Sequence, residues 1–102
     1  MSNWQTRAVD FARQHNFYPD PGVYALDCLS ELGEAAKEIL LATDYGQRPY
    51  TPTAEIAGEL GDALYSLCLL ATAAGVDLET AFDATLEKYS RRWRKKGHTG
   101  SQ

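Results

Sequence analysis

Several kinds of residue are scarce in this 102-residue chain, and each scarcity removes a class of answer. It has two cysteines, Cys28 and Cys68, and neither belongs to a Cys-x-x-Cys or Cys/His cluster, so a zinc site is excluded. Both sit among apolar neighbours in segments that read as helix, which predicts buried free thiols and a reducing compartment. The two histidines, His15 and His98, lie outside the acidic motifs described below. The Glu-x-x-His pattern of di-iron bundles is therefore missing. No run of alternating polar and apolar residues is long enough for a useful strand. Met1-Ser2-Asn3-Trp4 leads into a polar, amphipathic stretch rather than an export signal. The longest apolar-rich run, Ala63 to Ala74, reads as too short to cross a bilayer. These absences lead us to expect a cytoplasmic protein with no membrane partner.

Positive charge is scarce over most of the length. Residues 1–86 hold 13 acids and 4 bases, whereas residues 87–102 hold one acid, Glu87, and six bases. An acidic body with a basic C-terminal helix end argues against a nucleic-acid polymer as partner. The C-terminal bases also complement a helix dipole.

Punctuation divides the chain into four helices. The first is expected over Trp4 to His15, capped by Ser2 or Asn3, with Val9, Phe11 and Ala12 as a weak apolar stripe. Asp20-Pro21 opens the second with a cap and an N1 proline, and Gly46 stops it after about Tyr45. Residues 46–51 read as a loop. Thr51-Pro52 repeats the signal for a third helix, which Gly75 closes. Asp77 caps a fourth that runs to Lys96 and stops at Gly97. We expect an all-α domain over residues 1–97 and a disordered tail over 98–102. After Asp62 the third helix is apolar almost all round, which predicts burial on several sides. A chain this small cannot cover such a helix alone, so the expected architecture is a four-helix chain forming a bundle shared between subunits of an oligomer. Leu78, Phe82, Leu86, Tyr89 and Trp93 give the fourth helix an apolar stripe, expected to face the core.

The most informative residues are two acidic pairs, Glu31-Leu32-Gly33-Glu34 and Glu59-Leu60-Gly61-Asp62. A three-residue spacing sets the two carboxylates of each pair side by side on a helix. At about 100° per residue, Asp27, Glu31, Glu34 and Glu38 share one arc of the second helix. Glu55, Glu59 and Asp62 share another on the third. A solvated acidic face is the common explanation of a single such pair. Surface helices, however, usually alternate sign, and between Asp27 and Asp62 the only bases are Lys37 and Arg48. Facing stripes of one sign call for a cation. All-oxygen ligands favour Mg²⁺, Mn²⁺ or Ca²⁺, and Mg²⁺ with positions left for water and phosphate oxygens fits best. No EF-hand loop is present.

Glu-x-x-Glu, a spacer, then Glu-x-x-Asp on consecutive helices resembles the MazG-like, all-α nucleoside triphosphate pyrophosphohydrolases. Gly33 and Gly61, suited to close helix packing, the turn Gly75-Val76-Asp77-Leu78-Glu79 and the following Lys88-Tyr89 extend the likeness over about residues 4–96. The resemblance implies a Mg²⁺-dependent (Mn²⁺ is the other candidate ion) hydrolysis of (d)NTP to (d)NMP and pyrophosphate. It implies Glu31, Glu34, Glu59 and Asp62 as metal ligands and a homodimer or homotetramer. Glu31, Glu34 and Glu38 are the catalytic candidates, with a carboxylate positioning the attacking water. Lys88 and Arg92, one helical turn apart, and Tyr89 are the substrate-binding candidates, with Arg91 a weaker one. Trp4, Phe17, Tyr18 and Tyr24 are candidate walls for a base, although each reads first as core. Ser30 departs from the pattern, standing where the family carries its first glutamate; Asp27 and Glu38 lie on the same stripe. Ser30 keeps a non-catalytic helical binding partner as an alternative. A phosphoribosyl-ATP pyrophosphohydrolase ranks lower, because its usual motif surroundings are not evident.

Overall fold

The computed structural model describes residues 1–18, 20–97 and 100. The tail expected to be disordered, His98 included, lies outside the described residues apart from Gly100. Four helices, α1 (Asn3–Arg13), α2 (Pro21–Ala42), α3 (Ala54–Ala73) and α4 (Leu78–Lys96), account for the fold, with no strand among the described residues. Each begins on a side-chain cap. Ser2, Asp20, Thr53 and Asp77 accept the backbone N–H of Gln5, Val23, Ile56 and Glu79, respectively. The cap of α3 is thus Thr53, not Thr51. Thr53 stands directly before the first helical residue, Ala54, and its hydroxyl accepts the Ile56 N–H at 3.3 Å.

Two helices end earlier than their punctuation suggests. At the end of α1, Asn16 turns left-handed at φ 68°. Beyond α2, Asp44, Tyr45 and Gly46 are all left-handed, at φ 48°, 57° and 86°. The Tyr45 N–H closes back on the Leu40 carbonyl at 2.7 Å, and Arg48 Nε donates to the Ala42 carbonyl at 3.3 Å. These bonds satisfy the carbonyls a helix end leaves open. Gly97, at φ 74°, ends α4 as its sequence position suggests.

Helices α2 and α3 pack as a hairpin and α1 packs on α3. The core joins Ala8, Val9 and Ala12 of α1 to Cys68 and Leu69 of α3, ringed by Phe17, Tyr24, Tyr65 and Leu78. The Phe17 and Tyr24 rings stack at 5.7 Å. Both cysteines are buried free thiols, as expected, and burial raises the Cys68 pKa. Gln5, only 1% exposed, lies in the α1 stripe.

Other apolar expectations fail within the single chain. Phe11, Trp4 and Tyr18 are exposed rather than core. Beyond Leu78 the α4 stripe is not core either: no residue of α4 is fully buried, and Phe82 and Trp93 are 61% and 60% exposed. The second half of α3 buries Cys68, Leu69 and Ala71 but leaves Leu64 and Leu67 open. Gly33 and Gly61 mark no close approach, since a Cβ on either would meet nothing within 4 Å. The cause is shape. The radius of gyration is 16.5 Å, against about 13 Å for a compact chain of this length. The exposed surface is 7313 Å², against about 5,700 Å² for a compact monomer of this mass. By length and composition alone α3 is apolar enough to cross a membrane, so the apolar stretch is longer than the run from Ala63 suggested. Its place between α1 and α2, and its three acids, are those of the central helix of this fold.

Candidate metal centre

The hairpin brings together acids that the sequence separates. Glu31 of α2 and Glu59 and Asp62 of α3 converge, with one carboxylate oxygen of each within 4.8 Å of the others. Glu31 and Glu59 are half-buried and Asp62 is exposed. Asp62 stands one turn beyond Glu59, so both reach the α2 side of α3.

Glu34 lies outside this trio, and so does the half-buried Glu38. Both still belong to its electrostatic field. The Glu59 pKa is raised above its ordinary 4.5 by desolvation first, then by the charges of Asp62, Glu31, Glu34 and Glu38. Asp27 and Glu55, at the outer ends of the two stripes, do not figure among those charges. The set of carboxylates that converge is narrower than the stripes.

The charges acting on Glu59 are all negative. The ion pairs Met1–Asp77 and Arg91–Glu87 do not involve the cluster. A converging set of hard oxygen donors without a basic partner suits a hard divalent cation, and the oxygen spacing is of the order one ion spans.

The MazG nucleotide pyrophosphohydrolase domain matches residues 23–96 of the chain. The chain belongs to the MazG nucleotide pyrophosphohydrolase family. The match covers the hairpin and α4 and leaves α1 outside it. No curated protein and no solved structure matches the chain. MazG proteins are hydrolases and typically metal-dependent, in keeping with the carboxylate trio.

The bases expected to meet substrate stand apart from this MazG acid cluster. Lys88, Tyr89 and Arg92 lie on α4, which has no extensive packing against the hairpin. Lys88 Nζ sits 5.2 Å from the centre of the Tyr89 ring, a cation–π contact. Arg91 pairs with Glu87 at 3.3 Å.

A separate cleft of about 660 Å³ opens between α1 and α3, lined by Trp4, Arg7, Phe11, Leu64 and Tyr65 among others. At helical spacing, Leu64 and Cys68 point to the side of α3 away from Glu59 and Asp62, whereas Tyr65 stands one turn beyond Asp62. Trp4 thus walls a cleft that none of the three acids lines. The sequence reading missed Gln5 as a structural polar residue. Its signal was there: Gln5, Ala8, Val9 and Ala12 follow helical spacing, so a glutamine occupies the apolar stripe.

Proposed function

We propose that this MazG protein is a Mg²⁺-dependent, or Mn²⁺-dependent, nucleoside triphosphate pyrophosphohydrolase that converts (d)NTP to (d)NMP and pyrophosphate. The observation that carries the proposal is the convergence of Glu31, Glu59 and Asp62 without a basic partner. Glu31, Glu59 and Asp62 would hold the ion, with Glu34 as the fourth ligand. An ion held there would supply charge neutralisation to the phosphates and to the leaving pyrophosphate. Glu34 and Glu38 flank the trio within reach of its field, and Glu38 Oε accepts the proton of the attacking water. The water oxygen bonds to phosphorus, the α–β anhydride bond breaks, and pyrophosphate leaves. With Ser30 in place of the family's first glutamate, that proton falls to the remaining stripe. Lys88, Arg92 and Tyr89 bind the triphosphate.

A homodimer or homotetramer goes with this function. The support is the excess surface and the uncovered apolar stripe of α4. A second subunit also offers a way to bring α4 bases to an acid cluster that the same chain leaves apart. Cytoplasmic residence, with no membrane or nucleic-acid partner, completes the proposal and agrees with the two free thiols and the acidic body.

The test is pyrophosphate release from a panel of (d)NTPs with Mg²⁺, run beside Glu34→Ala and Asp62→Ala. Asp62→Ala is expected to lower kcat/KM by on the order of a thousandfold. No turnover of any nucleotide by the wild-type protein would leave the non-catalytic partner, the alternative that Ser30 keeps open. Turnover untouched by both substitutions would remove the site.

A further inference from the structure

We propose that Gln5 is a positioning residue that sets the direction in which α4 leaves the fold. Helix α4 packs little against the other three helices, so its direction must be fixed near its first turn. Besides the ion pair of the terminal amino group with Asp77 at 3.0 Å, three bonds found there converge on one side chain. Gln5 Nε2 donates to Thr72 Oγ1 at 3.0 Å and to the Val76 carbonyl at 2.8 Å. The Leu78 N–H donates to Gln5 Oε1 at 2.8 Å. Thr72 Oγ1 passes its own proton to the Cys68 carbonyl at 2.9 Å. A single amide thus ties the last turn of α3, the connecting turn and the first residue of α4 to α1.

The chemistry of the amide is specific to this task. The site needs two donors and one acceptor in one plane, which a glutamine supplies without charge. Gln5 is 1% exposed, so water does not replace those bonds when the side chain is changed. Leu78, the first residue of α4, also packs against the core that Ala8, Val9 and Ala12 share with α3. Polar and apolar restraints therefore act at the same root. Everything beyond that root is a lever of about 28 Å, on which a tilt of about 10° moves the tip by about 5 Å. The substrate candidates Lys88 and Arg92 ride on that lever.

The direct test is a distance. Spin labels on Ala36→Cys in α2 and Lys95→Cys near the tip of α4 report the angle, with labelled chains diluted in unlabelled ones; the native cysteines are buried. Gln5→Met removes all three bonds at similar volume. It is expected to shift or broaden the distance distribution by about 5 Å while circular dichroism keeps its helical form. Thr72→Val removes one acceptor and should give a smaller change in the same direction. An unaltered distribution in a folded Gln5→Met protein would overturn the proposal, because α4 would then be held by something other than Gln5. Should Gln5→Met fail to fold, Thr72→Val decides: a broadened distribution supports the proposal and an unaltered one overturns it. A second readout rests on the proposed function. KM for the triphosphate should rise on the order of tenfold with kcat little changed. If no nucleotide is turned over, that function fails while the distance measurement still decides on Gln5.

Discussion

Helices α3 and α4 are nearly equal in length, 20 and 19 residues, and they leave opposite things unsettled. Helix α3 buries Ile56, Ala63, Cys68 and Leu69 inside the chain, while α4 buries nothing. With charge the order reverses. Helix α4 carries Glu79 in its first turn and Arg94, Lys95 and Lys96 in its last, complementing the helix dipole, and pairs Glu87 with Arg91. Helix α3 carries Glu55, Glu59 and Asp62 and no base. So α3 is the better packed of the two and asks for a cation, whereas α4 sets bases beside its acids and asks for a surface. The contrast separates two signals that often coincide. Unbalanced charge points to chemistry, and unburied apolar side chains point to assembly.

The largest test of that contrast is a pair of truncations. Leu69→Ala should cost about 2–5 kcal/mol in urea unfolding, because it opens a cavity in the core. Trp93→Ala should cost well under about 1 kcal/mol in the dissociated chain but weaken self-association in sedimentation equilibrium. Equal losses in the dissociated chain would show α4 to be packed after all.

Next comes the cation. Glu59→Gln removes one charge from the repelling set, so the metal-free melting temperature should rise. Mg²⁺ should stabilise the wild-type protein and do so much less in that variant. A wild-type melting curve indifferent to both would mean that the acids are merely solvated.

A smaller effect lies in pH, where one acid from each region shifts in the opposite direction. The Glu59 pKa is raised by desolvation and its acidic neighbours. Between the ordinary 4.5 and its raised value, the folded chain holds a proton that the unfolded chain has lost. Without divalent ions, stability should therefore rise as pH falls into that window. The Asp77 pKa is lowered below 3.8, chiefly by its hydrogen bond with the terminal amino group. Its contribution should be lost as pH falls further, through that lowered value. A urea series across acidic pH shows whether the two trends separate. Smallest of all, Glu87→Ala removes an exposed pair and should change stability by less than about 0.5 kcal/mol.

Much of this was legible in the residues. Asp20-Pro21, Asp77 and Gly97 mark helix boundaries because capping is local chemistry, and local chemistry is written within four residues. The acidic motifs were legible because helical spacing fixes which carboxylates share a face. Three things were not. The end of α2 depends on Arg48 reaching back to Ala42 and Leu41, a fit no spacing rule states. The narrowing of two stripes to Glu31, Glu59 and Asp62 depends on helix register. The α4 stripe gave a correct amphipathic pattern but not its partner, because periodicity identifies a face and not what covers it.

The Gln5 bonds also bear on the order in which the chain assembles. They join residues 67, 71 and 73 positions apart, whereas the α2–α3 hairpin joins neighbours in sequence. Closing so long a loop costs entropy before any bond repays it, so the hairpin is expected to form first and the Gln5 clasp late. Contacts made after the transition state govern escape from the native state rather than arrival at it. On this account Gln5 acts as a latch: its loss should quicken unfolding and leave the folding rate nearly as it was.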